Sequence, residues 1–343
     1  MSGMPVCDID LATLPSSSMT FVEPMLPKAV SQLPEGANWQ YEIKWDGYRA
    51  LAIRAGGKRA VVSRRNNSFV KRFPSIVTSL NTLEDGIILD GEIVAFDAHD
   101  APSFNLLQHH ASNARSLVYF VFDVLAVRGR DVRRLTLAKR RELLDDIMRS
   151  ARHPLRRAPV LDAAPSALIR AVEAQGLEGI VAKRIESHYE SRGRSGAWVK
   201  FKVNGRQELV IGGYRPGEGR FDHLAVGYYD DRDRLRFVAK VRNGFTVDLK
   251  AEIVERLRKL ATTACPFDNL PQSTTGRWGE GLPAEAMRAY RWVRPELVAE
   301  VEFAEWTLAD ELRHSRFVAL RDDKDPKDVR KEHWRSRGNA TDR

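Results

Sequence analysis

A chain of 343 residues, 43% hydrophobic and 29% charged, is long enough for two domains and has the composition of a folded globular protein. No run approaches the roughly 18 apolar residues of a membrane span, MSGMPVCDIDLATLPSSS lacks the basic start and apolar block of a secretion signal, and two distant cysteines, Cys7 and Cys265, exclude a disulfide framework or cysteine metal cluster. The net charge of +9 points to a polyanionic partner, because clustered Lys and Arg displace counterions from phosphate backbones.

In chain order, residues 1–19 are polar, with consecutive serines, and are expected to form a flexible lead-in. From about residue 37 the pattern is one of strands broken by turns: WQYEIKWDGYRALAIRA, KRAVVSRR and GIILDGEIVAFD. SLVYFVFDVLAV (116–127) is an almost unbroken apolar run, as a strand covered on both faces requires. LAKRRELLDDIMRSA (137–151) and SALIRAVEAQ (166–175) repeat apolar residues at three- and four-residue spacing and predict helices. A second region begins near 206 with ELVIGGYRPG, HLAVGYYDD and LRFVAKVRNG. A helical stretch (247–261) follows, then LVAEVEFAEWT (297–307) and RFVAL (316–320). Five short strands with one intervening helix suit a small barrel of the oligonucleotide-binding type. The fold class predicted is therefore α+β: lead-in 1–19, a first domain of antiparallel sheets with helices over 20–205, a barrel domain over 206–325, and a charged, mobile tail over 326–343.

Within YEIKWDGYRA, Lys44 stands where the alternation turns a side chain inward. A free lysine is neutral in only about one molecule in 2,500 at pH 7; burial or neighbouring cations raise that share and make the amine a nucleophile. Arg49 and Arg64 can supply such cations, and Gly47 permits a tight turn. Alone, Lys44 is equally a lysine at a strand edge. LDGEIV (89–94) places Glu92 just after a turn, and LEGIVAKR (177–184) repeats the design with Glu178. Two carboxylates presented from strand beginnings can hold Mg²⁺, although each singly is an ordinary turn residue. SGAWVKFKVNG puts Lys200 and Lys202 on one side of a strand, in reach of a triphosphate or merely guarding a sheet edge. HSRFVALRDDKDP gathers Arg316, Arg321 and Lys324. The chemistry that uses all these parts is nucleotidyl transfer: the lysine attacks an α-phosphate and pyrophosphate leaves. The sequence has no Walker-type phosphate loop, no Rossmann glycine triad in context and no nucleophilic serine elbow.

The ordered motifs KWDGYR (44–49), SRRNN (63–67), DGEIV (90–94), FVFDVL (120–125), EGIVAKR (178–184), WVKFK (198–202) and RDDK (321–324) resemble those of the covalent nucleotidyltransferases, specifically the ATP-dependent DNA ligases. EPMLPKAV, YEIKWDGYRA and LRHSRFVALRDDKDP are most similar to the ligase module of bacterial non-homologous end-joining ligases, here at the length of a stand-alone form. The resemblance implies an adenylation domain followed by an OB-fold domain, and the sealing of breaks in duplex DNA. It implies that Lys44 carries AMP through a phosphoramidate bond, that Glu42 lies against the adenine, and that Arg49 and Arg64 contact phosphate or ribose. Glu92 would hold ribose or metal, Phe122 would stack on the adenine, and Glu178 would bind metal. Arg194 and Lys200 would contact the ATP phosphates, with Lys202 nearby, and Arg321 with Lys324 would orient pyrophosphate when the second domain closes.

ATP and Mg²⁺ are the implied cofactors, with Mn²⁺ as a substitute. Nicked or broken duplex DNA and the Ku end-binding protein are the implied partners. A monomer in the bacterial cytoplasm, at the nucleoid, is expected. One departure stands out: many members place Gly soon after Ser-Arg in the second motif, where this chain has Arg65, Asn66 and Asn67. Asparagine tolerates the left-handed conformation better than most residues, so the turn is expected to survive. The large N-terminal DNA-binding domain of bigger ligases is not part of the sequence, which predicts weaker nick affinity. The alternatives within this chemistry are an RNA ligase and a GTP-using capping enzyme; from another class, a non-catalytic basic DNA-binding protein. An NAD-dependent ligase is disfavoured, since no additional N-terminal domain and no zinc-type cysteines occur.

Overall fold

The structure, a computed structural model, describes residues 9–109, 117–203, 205–218, 220–270, 282–307 and 309–332. Cys7, the first part of the expected lead-in (1–8) and the last part of the expected tail (333–343) lie outside them. The chain divides into two units, Met1–Val203 and Asn204–Arg343.

The first unit runs β1 (Lys28–Ala29), β2 (Trp39–Lys44), β3 (Tyr48–Ala55), β4 (Lys58–Ser63), α1 (Pro74–Ser79), β5 (Ile87–Ala95), α2 (Phe104–His109), β6 (Leu117–Val127), β7 (Arg130–Asp131), α3 (Leu137–Met148), β8 (Leu155–Arg157), β9 (Val160–Leu161), α4 (Pro165–Ala174), β10 (Gly179–Arg184) and β11 (Trp198–Lys202). One sheet has the order β4-β3-β5-β6-β7, with β8 also on β6; the other has the order β1-β11-β10-β2-β9. Among the described residues of this unit, β1–β11 and β6–β8 are the strand pairs that run parallel. Every residue of β6 is buried, as its apolar run requires.

Alternation sorts the second sheet. Tyr41 and Ile43 pack with Leu168 and Val172 of α4 and with Ile180 and Val199 in one core. Glu42 and Lys44, offset by one residue, therefore face the other way, toward the first sheet. There Leu51, Ile88, Phe120, Phe122 and Trp198 form the core between the sheets. The helices begin as their sequences dictate: the Thr136 hydroxyl accepts from the Lys139 N–H at the start of α3, and Pro165 occupies the first turn of α4.

Three local expectations change. Asp90-Gly91-Glu92 is no turn; it runs straight through β5. Gly47 serves close approach, since a Cβ there would sit 2.2 Å from the Ile93 carbonyl oxygen. The lead-in, from residue 9 onward, is laid along β7: Ser17 N–H donates to the Gly129 carbonyl at 2.8 Å and Asp131 N–H to that of Pro15 at 2.8 Å.

The second unit contains β12 (Arg206–Arg215), β13 (His223–Tyr229), β14 (Leu235–Val241), α5 (Val247–Arg258), β15 (Ala261–Thr262), α6 (Ala284–Met287), β16 (Arg291–Glu302), β17 (Glu305–Trp306), β18 (Leu312–Arg313) and β19 (Arg316–Leu320). The sheet order β14-β13-β12-β16-β15 carries β19 on β16. A bridge from Asn243 to Arg316 joins the end of β14 to β19. The five long strands thereby close into a barrel, with α5 between its third and fourth strands, the arrangement of an OB-fold. Packed chain extends beyond 325, where the tail was expected to begin. Val329 is buried and its carbonyl accepts from Tyr229 N–H at 2.9 Å, while the Gln207 side chain bonds the Arg330 carbonyl and the Glu332 N–H, each at 3.1 Å.

Candidate active site

The site is built on the inner face of the second sheet, where three strands lie side by side in register. Lys44 pairs with Gly179, and Gly179 with Lys202; Glu42 pairs with Val181, and Val181 with Lys200; Gln40 pairs with Lys183, and Lys183 with Trp198. Register partners point to the same face, so Glu42, Lys44, Lys200 and Lys202 share it. Gly179 is required in its row, because a Cβ would lie 2.0 Å from the Phe201 carbonyl oxygen. Glu178, just ahead of β10, forms an ion pair through Oε2 with Lys44 Nζ, and its Oε1 is 3.5 Å from Lys202 Nζ.

The facing sheet contributes Arg49, Glu92 and Phe122. Arg49 and Glu92 are register partners. The Arg49 guanidinium donates to both Asp90 oxygens at 2.6 Å and to the Met25 carbonyl at 3.4 Å, and lies 4.5 Å from the Phe122 ring centroid. Asp90 also accepts from the Tyr189 hydroxyl at 2.6 Å. Burial works against the charged guanidinium, and the Asp90 carboxylate more than offsets it, holding the Arg49 pKa above its ordinary value. Arg49 is thus a fixed charge beside the Phe122 ring.

Arg64 lies in the turn after β4. Asn66 takes the left-handed conformation there (φ 61°), and the Ser63 hydroxyl accepts from the N–H groups of Arg65 and Asn67 at 3.2 and 3.0 Å. Arg194 is exposed in the loop before β11. Arg321 and Lys324 belong to the second unit. Arg321 is buried, bonded to Asp323 at 2.9 and 3.0 Å and 3.4 Å from Glu300; Lys324 meets Glu208 at 3.0 Å. The Arg321 guanidinium is therefore occupied by carboxylates of its own unit.

Two charged residues outside the expected set complete the site. Lys183 Nζ lies 2.9 and 3.0 Å from the Glu42 oxygens, and Arg141 of α3 donates to Glu42 Oε1. Burial brings the Lys183 pKa down to about 8, against the pull of Glu42 and with the help of Arg141. The neighbouring Arg140 is locked to Asp123 at 2.8 and 2.9 Å.

Among the described residues no group of three or more His, Cys, Asp or Glu side chains gathers to hold a metal ion. Glu178, with each oxygen toward a lysine, and Glu92 nevertheless suit a magnesium ion delivered with a triphosphate, since such ions use one or two carboxylates beside phosphate oxygens. No helix among the described residues is long and apolar enough to cross a membrane.

Comparison with known proteins gives the family. The ATP dependent DNA ligase domain matches residues 24–202, and the ATP dependent DNA ligase C terminal region matches 217–324. The chain is 34% identical over 318 residues to the multifunctional non-homologous end joining protein LigD of Pseudomonas aeruginosa, covering 90% of this chain and 36% of that protein. It is 29% identical over 324 residues to DNA ligase C2 of Mycolicibacterium smegmatis, covering 86% of this chain and 87% of that one. The structure of a mycobacterial DNA ligase D complexed with ATP and MES matches with a TM-score of 0.64 at 31% identity, over 91% of this chain and 98% of that one. The chain thus spans little more than a third of the LigD proteins it matches. With matches over both units, the chain belongs to the ATP-dependent DNA ligases.

Proposed function

We propose that this ligase seals breaks in duplex DNA through a lysyl-AMP intermediate on Lys44, with residues 20–205 as the adenylation domain and 206–325 as the OB domain. The observation that carries the proposal is the shared face: Lys44, Lys202, Lys200 and Glu42 project from adjacent strands toward Phe122 and Arg49. Lys200 and Lys202 would draw the triphosphate, with Arg64 and Arg194 reaching it from the flanking loops, and the phosphates would take over the Lys44 and Lys202 charges that Glu178 now neutralises. Phe122 would stack on the adenine and Glu42 would accept from its edge.

The free-base Lys44 Nζ then bonds to the α-phosphorus as the bond to pyrophosphate breaks, and the amine proton passes to solvent. AMP moves next to the 5′-phosphate of the break. Attack by the 3′-hydroxyl on that phosphate joins the strand and expels AMP. Glu92 and Glu178 would hold Mg²⁺ or Mn²⁺ with the ATP phosphates, where it would supply charge neutralisation. Lys324 would orient the leaving pyrophosphate, and Arg321, through its bonds to Asp323 and Glu300, would position that segment. By extension from the relatives named for non-homologous end joining, the broken ends of double-stranded DNA are the substrate and Ku the partner of a monomer in the bacterial cytoplasm.

Intact mass tests the proposal. Incubation with ATP adds one AMP, pyrophosphate removes it, and GTP adds nothing; the charged protein then seals nicked DNA in preference to nicked RNA. Nucleotide capture by Lys44→Arg would sink the assignment.

A further inference from the structure

Residues 23–30 form a strap that is tied to both sides of the cleft. Glu23 pairs with Arg192, and the Leu26 N–H donates to the Gly193 carbonyl at 3.0 Å. β1 lies in register with Val199 and Lys200 of β11, and the Val30 N–H donates to the Lys200 carbonyl at 3.0 Å. Between these ties sits Met25, fully buried. Its N–H donates to the Tyr189 hydroxyl at 3.1 Å, and its carbonyl accepts from Arg49 Nη2 at 3.4 Å. Tyr189 donates in turn to Asp90 Oδ2 at 2.6 Å, and Asp90 accepts from Nε and Nη2 of Arg49. Met25, Tyr189, Asp90 and Arg49 thus close a ring of hydrogen bonds drawn from separate stretches of chain.

Each bond in this ring has a single direction. A peptide N–H and a guanidinium only donate and a carboxylate only accepts, so the phenol must accept from Met25 and donate to Asp90. Burial and the Asp90 charge keep the Tyr189 proton in place, holding its pKa well above that of a free phenol. Tyr119, equally buried, uses its hydroxyl differently, donating to the carbonyls of Ala50 and Leu89 at 2.9 and 3.3 Å. Arg49 alternates with Leu51 and Ile53, which belong to the core between the sheets. Its guanidinium therefore stands on the wall opposite Lys44, Lys200 and Lys202, on a side chain still 16% exposed. We propose that Tyr189 is a positioning residue: with the Met25 peptide it fixes the Arg49 fork in the cleft and so aligns the bound triphosphate for attack by Lys44. The proposal rests on the proposed function in one respect, that the anion entering the cleft is the nucleotide.

Tyr189→Phe tests this. It leaves every charge of the cleft in place but strands the buried Met25 N–H and takes one donor from Asp90, so the fork turns. The charge still draws ATP, whereas the alignment is lost. With capture followed by intact mass, the rate at saturating ATP should fall at least about tenfold, while the half-saturating ATP concentration stays within about threefold of native. Arg49→Lys keeps the charge and loses the fork, and should behave alike. In the Arg49→Lys background, Tyr189→Phe should then cost less than about twofold more, because the residue through which it acts is already gone. A tyrosine that only supported the fold would multiply its loss. The inference is overturned by a Tyr189→Phe rate within about twofold of native, by a loss confined to the half-saturating concentration, or by losses that multiply in the double variant. If Tyr189→Phe does not fold, Arg49→Lys alone decides: a rate within about twofold of native shows that the fork geometry is not used. No adduct on the native protein with any nucleotide would instead count against the proposed function itself.

Discussion

At both ends of its inner face the second sheet sets one carboxylate between two cations, but the surroundings differ. At the open end Glu178 lies between Lys44 and Lys202, whose side chains are 19% and 8% exposed. At the deep end Glu42 lies between Lys183 and Arg141, 2% and 5% exposed. The open cations are both lysines on flexible stems, flanking a glycine, and can exchange one anion for another. The deep cations are held, one over aromatic rings and the other by a helix anchored through Arg140. The same composition thus serves exchange in one place and rigidity in the other, and the packing around it decides which.

Four measurements can break or sharpen that contrast. The largest effect belongs to Lys44→Ala, which should lower nucleotide capture at least about a thousandfold and move the melting midpoint by no more than about 3 °C. A large loss of stability would mean that the open end is structural after all. Asp123→Asn weakens the anchor of Arg140 and leaves a buried guanidinium without its counter-charge. It should cost about 3–5 kcal/mol in urea unfolding, and a cost below about 1 kcal/mol would show that the deep end is not clamped from the helix.

Gly179→Ala comes next. Its Cβ would lie 2.0 Å from the Phe201 carbonyl oxygen, so β10 and β11 must separate, at about 1–3 kcal/mol. Capture should fall more than stability does, because Lys44 and Lys202 move apart; an unchanged capture rate argues that their spacing is irrelevant. The smallest effect is in pH. The Lys183 pKa is about 8 in the folded protein and near 10.4 in the unfolded chain. Below pH 8 both forms hold the proton. Between about 8 and 10 the unfolded chain holds more, so stability gained from Lys183 rises with pH, on the order of 1 kcal/mol relative to Lys183→Met. A difference that is flat over that window would place Lys183 in contact with water.

Strong local patterns carried much of this architecture in the sequence. Period-two alternation placed Lys200 and Lys202 together, helical spacing located α3 and α4, and five apolar segments around one helix described the barrel. The short strands β1, β8 and β9 left no trace, because two or three residues cannot show a period, and their pairing is set by distant partners. Lys183 and Arg141 were missed for a different reason. In α3, Arg140 and Arg141 fall on the buried stripe with Leu137 and Leu144, and two arginines at core-facing spacing imply two buried acids. The partners, Asp123 and Glu42, lie 17 and 99 residues away, so the sequence shows the need and not the pairing. Arg321 was legible as a cation but not as a buried one, although an acid two residues on, Asp323, was there to take it.

The bare rung at Gly179 has a geometric outcome. Neighbouring strands are about 4.8 Å apart, so Lys44 and Lys202 start from Cα atoms roughly 10 Å apart, and because the rung between them carries no side chain of its own, the Glu178 carboxylate reaches in between the two ammonium groups. That leaves a notch walled by two ammonium stems and floored by plain peptide. A tetrahedral anion that displaces the Glu178 carboxylate from there meets positive charge from left and right and main chain beneath. Substitutions at Gly179 therefore alter the width of this notch, while those at Lys44 or Lys202 remove one of its walls.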